Sequence, residues 1–240
     1  MASEGNGRIS LFDIIRGFTI ISMVLFHATY DAAYIYGFDA PWFMGTVLQD
    51  AWRASISWVF LFLAGWMTAF SRNNFRRAAI YGAAALAVWV ATSIAAVDTA
   101  VSFGILFCMA ASTLIAAVIK PVLDRLSPAA ALVAFLVLFA ATLDVPHHSY
   151  PVTGLAWLGL PDPAFSSGDY YPLFPFVFMY MAGAMGARLF ARLRPEGYPE
   201  WMKRDWAPVL SHIGRLSLPI YLLHQPLLIV LFEAIVFVMG

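Results

Sequence analysis

Seven long apolar stretches run through this chain, and they constrain its fold more than any other feature of the sequence. A helix that crosses a bilayer needs about 20 mostly apolar residues, with a range of about 17–25. The stretches that reach or approach this length cover residues 14–36, 52–70, 78–97, 101–119, 127–145, 172–190 and 216–239. We therefore predict an all-α bundle of about seven transmembrane helices.

The composition supports this prediction and argues against a soluble protein. Of the 240 residues 62% are apolar and only 12% are charged, whereas a soluble domain carries about 25% charged residues. The formal net charge is zero, so no basic surplus indicates a nucleic-acid partner. The single cysteine, Cys108, excludes an internal disulfide, and no cysteine cluster predicts a metal site. We expect one integral-membrane domain over residues 1–240.

The basic residues predict the orientation of the helices. If the seven spans alternate in direction, every lysine and arginine except Arg53 falls on one side of the membrane. Because cytoplasmic loops carry the excess of basic residues, we expect the N-terminus in the cytoplasm and the C-terminus outside it. The long segment 144–171, which contains several prolines and glycines, is then an extracytoplasmic loop.

Ionisable residues inside the spans are the first candidates for function, because such residues are costly in a bilayer. His27 follows Arg16 by 11 residues, which places it about 16 Å further along the first helix at ~1.5 Å per residue. Asp31 comes four positions after His27 and shares its face. The imidazole can donate one N–H to Asp31 and keep its other nitrogen basic, as a general base requires. The alternative is a polar contact that only holds helices together.

The last predicted span carries a second histidine. His224 and Gln225 lie between Pro219 and Pro226, and prolines inside a helix remove backbone donors and kink it. Irregular helices at membrane depth are either packed in protein or line a cavity. His224 and Gln225 therefore either line a site or form an interhelical hydrogen bond.

Three arginines lie between the second and third spans, at the predicted cytoplasmic side: Arg72, Arg76 and Arg77. Arginine forks match phosphate oxygens in a bidentate manner, so this cluster is a candidate phosphate site. The excess of basic residues expected in any cytoplasmic loop also explains it.

Several motifs resemble a known family. Residues 8–18 (RISLFDIIRGF), followed by His27, resemble the opening of bacterial proteins similar to the heparan-alpha-glucosaminide N-acetyltransferase catalytic domain. Further similar blocks are 60–65 (FLFLAG), 103–106 (FGIL), 169–175 (DYYPLFP), 214–218 (GRLSL) and 224–226 (HQP). The spacing of Arg16 and His27 also resembles the first helix of membrane acyltransferases that modify cell-surface sugars.

The resemblance implies a reaction, a location and roles for the candidate residues. Cytosolic acetyl-CoA or another acyl-CoA would donate its acyl group to an amine or hydroxyl of an extracytoplasmic sugar, lipid or polymer, at the bacterial cytoplasmic membrane and without a metal. The implied catalytic residues are His27, Asp31 and His224. The implied donor-binding residues are Arg16, Arg72, Arg76 and Arg77, and the implied acceptor-binding residues are Asp169, Tyr170 and Gln225.

Two other functions stay open on the sequence. Phe107 stands where the family often has a histidine, which leaves a non-catalytic membrane subunit or scaffold as one alternative. His27 and Asp31 in one span also fit a proton-coupled transporter. Small residues on the sixth span favour helix association, including a homodimer or a larger assembly; they are Gly183, Ala184, Gly186 and Ala187.

Overall fold

The computed structural model describes residues 8–95 and 98–239, and within them the chain forms helices joined by loops and no strand. The predicted all-α fold is confirmed. The helices are α1 (Ser10–Tyr30), α2 (Val47–Trp66), α3 (Asn74–Ala95), α4 (Ile105–Val118), α5 (Lys120–Leu123), α6 (Pro128–Thr142), α7 (Leu173–Leu193), α8 (Glu200–Lys203), α9 (Pro208–Arg215) and α10 (Ser217–Met239). The end of the third predicted span, at 96–97, lies outside the described residues, as do residues 1–7 and 240 of the predicted domain.

Within the described residues, five helical segments are long and apolar enough to cross a membrane. They are Ser10–Ile35, Asn74–Ala95, Pro128–His147, Leu173–Leu193 and Ser217–Val238. These segments coincide with the first, third, fifth, sixth and seventh predicted spans. The second and fourth predicted spans correspond to α2 and to the shorter α4, which has 14 residues. The count of seven, the orientation of the termini and the extracytoplasmic loop at 144–171 stay predictions.

The described residues pack into two compact units, and the division falls within α2. The first unit contains the chain up to Phe60 together with the chain from Glu196 onward. The second unit is Leu61–Pro195. The prediction of a single domain over residues 1–240 stays a prediction.

In the first unit, α1 runs parallel to the segment formed by α9 and α10. Gly17 lies against the backbone of α9. Further along both segments the ring of His27 contacts that of His224, and the Tyr36 hydroxyl then reaches Glu233. Since these contacts advance in the same direction along both segments, α1 and α10 point the same way. An odd number of alternating spans requires the same relation between the first and the last.

A pair of glycines makes the approach of α1 to α9 close. A methyl group at Gly17 would overlap the Leu210 carbonyl oxygen, and one at Gly214 would overlap the Asp13 carbonyl oxygen. Small residues let helix backbones approach in this way inside a membrane. The two glycines therefore fix how the start of α1 sits on α9.

The C-terminal end of α1 continues into a π-helical turn, Asp31–Ile35. Turns of this kind are rare and are found frequently at functional sites. Phe26 packs edge to face against Phe43 and Trp52, and Trp52 Nε1 donates to Ser22 Oγ at 2.8 Å. This aromatic packing holds the end of α1 against the first turns of α2.

In the second unit, α7 packs against α6, α4 and the end of α2. A methyl group at Gly183 of α7 would overlap the Phe62 carbonyl oxygen, and one at Gly65 of α2 would overlap the Tyr180 carbonyl oxygen. The small residues noted on the sixth predicted span therefore pack within this unit. They do not form a free surface for a second chain.

Candidate functional site

Two histidines face each other between α1 and α10. The ring centroids of His27 and His224 lie 4.8 Å apart, and the ring planes are inclined by 62°. His27 belongs to the last turn of α1, and His224 is 9% exposed. The sequence predicted each histidine separately, and the parallel packing of α1 on α10 brings them together.

Beside the histidines, Gln225 holds the carboxylate of Asp31. Asp31 is fully buried, and Nε2 of Gln225 donates to its two oxygens at 2.9 and 3.0 Å. A buried carboxylate needs such donors because desolvation otherwise destabilises its charge. On the sequence, His27 is able to donate to Asp31. In the structure these two hydrogen bonds come from Gln225, and the His27 ring contacts His224.

The polar atoms of α10 at this site are only partly satisfied. Nδ1 of His224 lies 2.6 Å from the Tyr221 carbonyl oxygen, one turn earlier on the helix. Nε2 of His224 and Oε1 of Gln225 are buried and have no hydrogen-bond partner among the described residues. Buried polar atoms are normally paired, so two unpaired atoms on neighbouring residues mark a place where a ligand can bind.

At the other end of α1, a buried carboxylate binds two arginines. Asp13 is 2% exposed, forms an ion pair with Arg8, and accepts a hydrogen bond from Arg16 Nη2 at 2.9 Å. The carboxylate also interacts favourably with the positive end of the helix dipole. Because one carboxylate faces two guanidinium groups, the cluster has an excess of positive charge that suits an anionic ligand.

The three arginines after α2 differ in their surroundings. Arg72 and Arg76 are exposed. Arg77 donates from Nη2 to the Ala64 carbonyl oxygen at 3.0 Å and from Nε to the Tyr81 hydroxyl at 3.1 Å. The Ala64 carbonyl is one of the last four of α2, which have no partner inside their own helix. Arg77 therefore completes the hydrogen bonding of a helix end.

Asp169 and Tyr170 make local contacts in the second unit. Oδ2 of Asp169 accepts a hydrogen bond from the Ile105 backbone N–H at 3.3 Å, at the start of α4. The Tyr170 hydroxyl donates to the Ala156 carbonyl oxygen at 2.6 Å, and burial raises the pKa of this tyrosine to about 12. Both side chains order the segment between α6 and α7. Their predicted part in binding an acceptor stays a prediction.

A family model described as heparan-alpha-glucosaminide N-acetyltransferase, catalytic, matches residues 8–226. The chain belongs to this family. Membership, together with the five apolar helices, identifies an integral membrane protein of the acetyltransferase class. No curated protein and no solved structure matches the chain.

Four of the sequence motifs of this N-acetyltransferase family member contact one another in two pairs. The block at 8–18 contacts the block at 214–218 through Gly17 and Gly214. The block at 103–106 contacts the block at 169–175 through Asp169 and through the Tyr171 N–H, which donates to the Phe103 carbonyl at 2.9 Å. The matched region also contains the two histidines, Asp31 and Gln225.

The sequence analysis missed two acidic residues. Asp13 precedes Arg16 by three residues on a helix, and this spacing predicts an ion pair. Glu233 is an acid within the last predicted span, and an ionisable residue in a span is by itself a candidate for function. Its Oε1 accepts a hydrogen bond from the Tyr36 hydroxyl at 3.0 Å. In residues 8–95 and 98–239, no three His, Cys, Asp or Glu side chains are arranged to hold a metal.

The different surroundings of the arginines predict different effects on stability. Replacing Arg77 with alanine should lower the free energy of unfolding by about 1–3 kcal/mol, because buried acceptors lose a charged donor. Replacing the exposed Arg76 should change it by less than about 0.5 kcal/mol. Thermal unfolding of both variants in the same detergent measures the difference. Equal unfolding temperatures would show that Arg77 does not support the end of α2.

Proposed function

We propose that this family member transfers an acetyl or other acyl group from cytosolic acyl-CoA to an amine or hydroxyl of an extracytoplasmic sugar, lipid or polymer. The observation that carries the proposal is the contact between His27 and His224 inside two apolar helices. Titratable rings are costly at this depth and are retained where they take part in function. The clamped carboxylate of Asp31 stands next to the pair and orders this part of the site.

His27 is proposed as a catalytic histidine that either accepts a proton or carries the acyl group. Both roles require a neutral imidazole with a free lone pair. The ring of His224 beside it and the buried Asp31 supply the polar surroundings for such chemistry. Gln225 contributes an unpaired Oε1 that can accept a hydrogen bond from the acceptor substrate.

Arg16 is proposed to bind an anionic part of the donor. Acetyl-CoA is the usual donor of this family, and its phosphates match guanidinium groups. The net positive charge of the cluster around Asp13 supports this assignment. Arg16 and His27 are separated by about 16 Å along α1 at ~1.5 Å per residue, so one helix can serve both the phosphate end and the acyl end of a long donor.

Five residues of the second unit have proposed binding roles of their own. Exposed Arg72 and Arg76 are proposed as donor-binding residues, and Arg77 is proposed to assist them from its place at the end of α2. Asp169 and Tyr170 are proposed to bind the acceptor. A homodimer or larger assembly in the bacterial cytoplasmic membrane is compatible with these assignments.

Binding of acetyl-CoA to the purified chain in nanodiscs tests the donor assignment. Replacing Arg16 with alanine should weaken binding by about 10-fold or more, because a hydrogen bond to a charged group contributes about 1.5–3 kcal/mol. Arg16→Lys keeps the charge but loses the planar fork, so it should give an intermediate affinity. Arg53→Ala is the matched control, since Arg53 pairs with Asp50 on the predicted opposite side.

The same experiment separates the competing functions. Acetyl-CoA binding together with transfer to glucosamine, used as a soluble amine acceptor, supports an acyltransferase. A folded wild-type chain that binds no acetyl-CoA would reject that function. Proton-driven solute uptake by proteoliposomes would then support a transporter, and stable copurification with larger proteins would support a scaffold.

A further inference from the structure

The two ring nitrogens of His224 are in different surroundings, and the difference indicates which of them can accept a proton. Nδ1 lies 2.6 Å from the Tyr221 carbonyl oxygen. A carbonyl oxygen only accepts hydrogen bonds, so Nδ1 must carry the hydrogen. A neutral imidazole has one N–H and one lone pair, and the lone pair is therefore on Nε2. We propose that His224 is the proton acceptor of the transfer reaction, an inference that rests on the proposed function.

The position of Nε2 supports this role. It is buried and has no hydrogen-bond partner among the described residues. A general base must present a lone pair within hydrogen-bond reach of the proton that it removes. The helix backbone holds the His224 ring with this lone pair available before any substrate binds, so no rearrangement of the ring is needed.

The ring of His27 is not held by a hydrogen bond to the helix backbone. Its side chain makes no hydrogen bond to a described residue, and its ring contacts His224 at a centroid distance of 4.8 Å. Two imidazolium cations this close repel each other strongly in a site of low dielectric constant, so only one ring holds an added proton at a time. His224 therefore takes the proton. His27 stays neutral and is left to orient the acyl carbonyl during direct transfer.

The proposed transfer of the acyl group from coenzyme A to the acceptor conserves protons and electrons. The amine or hydroxyl of the acceptor attacks the acyl carbon, and its proton moves to Nε2 of His224. The bond between the acyl carbon and sulfur breaks, and the sulfur of coenzyme A leaves with the electron pair. The thiolate then takes the proton from His224 and leaves as the thiol. During the step the imidazolium is stabilised by its charge-assisted hydrogen bond to the Tyr221 carbonyl.

Replacing His224 with asparagine separates a catalytic role from a structural one. The asparagine amide can still donate to the Tyr221 carbonyl, but it offers no basic nitrogen at the position of Nε2. We expect this variant to fold and to bind acetyl-CoA like the wild type. Its rate of transfer to glucosamine should fall by about 100- to 10,000-fold, the usual range for loss of a general base.

Retained activity in the His224→Asn variant would contradict the inference. If His224→Asn transfers acetyl groups within a few-fold of the wild-type rate, His224 has only a structural role and the inference is wrong. His224→Gln places an amide near the position of Nε2 and also lacks a base, so it should lose the same activity if His224→Asn fails to fold. A folded wild-type chain that neither binds acetyl-CoA nor transfers its acetyl group would reject the proposed function, and this inference with it.

A second measurement does not depend on turnover. Nitrogen-15 NMR of the histidine-labelled chain in nanodiscs reports which ring nitrogen carries hydrogen, and the signal missing from His224→Asn identifies His224. We expect a protonated Nδ1 and an unprotonated Nε2. A resting chain with the hydrogen on Nε2 would overturn the inference, whatever the activity of the variants.

Discussion

Replacing His27 with alanine should lower the rate of acetyl transfer by about 100-fold or more while leaving acetyl-CoA binding nearly unchanged. Loss of a catalytic acid, base or nucleophile removes a contribution made in the transition state, not in the bound ground state. His27 is expected to have this effect because its ring contacts His224, the residue with a buried, unpaired ring nitrogen. Donor binding is expected at the other end of α1, around Arg16.

Turnover and donor affinity, measured on the same nanodisc preparation, check this prediction. His212→Ala is the matched control, because His212 is an exposed histidine of the same unit whose Nδ1 lies 3.2 Å from Nη2 of Arg215 on its own helix. It should leave both quantities unchanged. A His27→Ala variant that turns over like the wild type would remove His27 from the chemistry and favour a structural polar contact.

The helices of this fold follow from the sequence to a large extent, because bilayer thickness sets the length of an apolar run. The exact ends of the helices follow less closely from the sequence, as the fourth predicted span shows. The sequence suggested a start at Val101, whereas α4 begins at Ile105. Gly104 precedes the helix in an extended conformation, and Asp169 accepts from the first helical N–H. That partner lies 64 residues away in the sequence, so no local pattern reveals it.

Each residue of the candidate site can be predicted from the sequence, but which of these residues contact one another cannot. The cost of a charge in a membrane singles out His27, Asp31 and His224 from the sequence alone. Helical spacing then suggests a contact between His27 and Asp31, but it ignores the neighbouring helix. The parallel packing of α10 places Gln225 on the carboxylate and His224 on the other ring. These partners are nearly 200 positions apart, which only tertiary packing can resolve.

The small residues of α7 illustrate the same limit. A stripe such as Gly183, Ala184 and Ala187 indicates that a helix is approached closely. It does not indicate whether the approaching helix belongs to the same chain. In the structure Gly183 lies against the Phe62 carbonyl, so the stripe is used within the second unit.

Replacing Gly183 with alanine should therefore destabilise the chain strongly. The new methyl group would overlap a backbone carbonyl oxygen, which cannot move aside as a flexible side chain can. Overpacking a well-packed core usually costs about 1–3 kcal/mol and occasionally more, and a clash with backbone belongs at the upper end. Gly17→Ala should have a comparable effect through the Leu210 carbonyl in the first unit.

Gly82 provides a matched control on α3. A methyl group there would meet only the Ala110 side chain at 3.9 Å, an ordinary contact. Since alanine is favoured over glycine inside a helix by about 1 kcal/mol, Gly82→Ala should be neutral or stabilising. Thermal unfolding in detergent and the yield of monodisperse protein compare the three variants. If Gly183→Ala were as stable as Gly82→Ala, α7 would not cross α2 at this glycine. The small-residue stripe would then again be a candidate surface for a second chain.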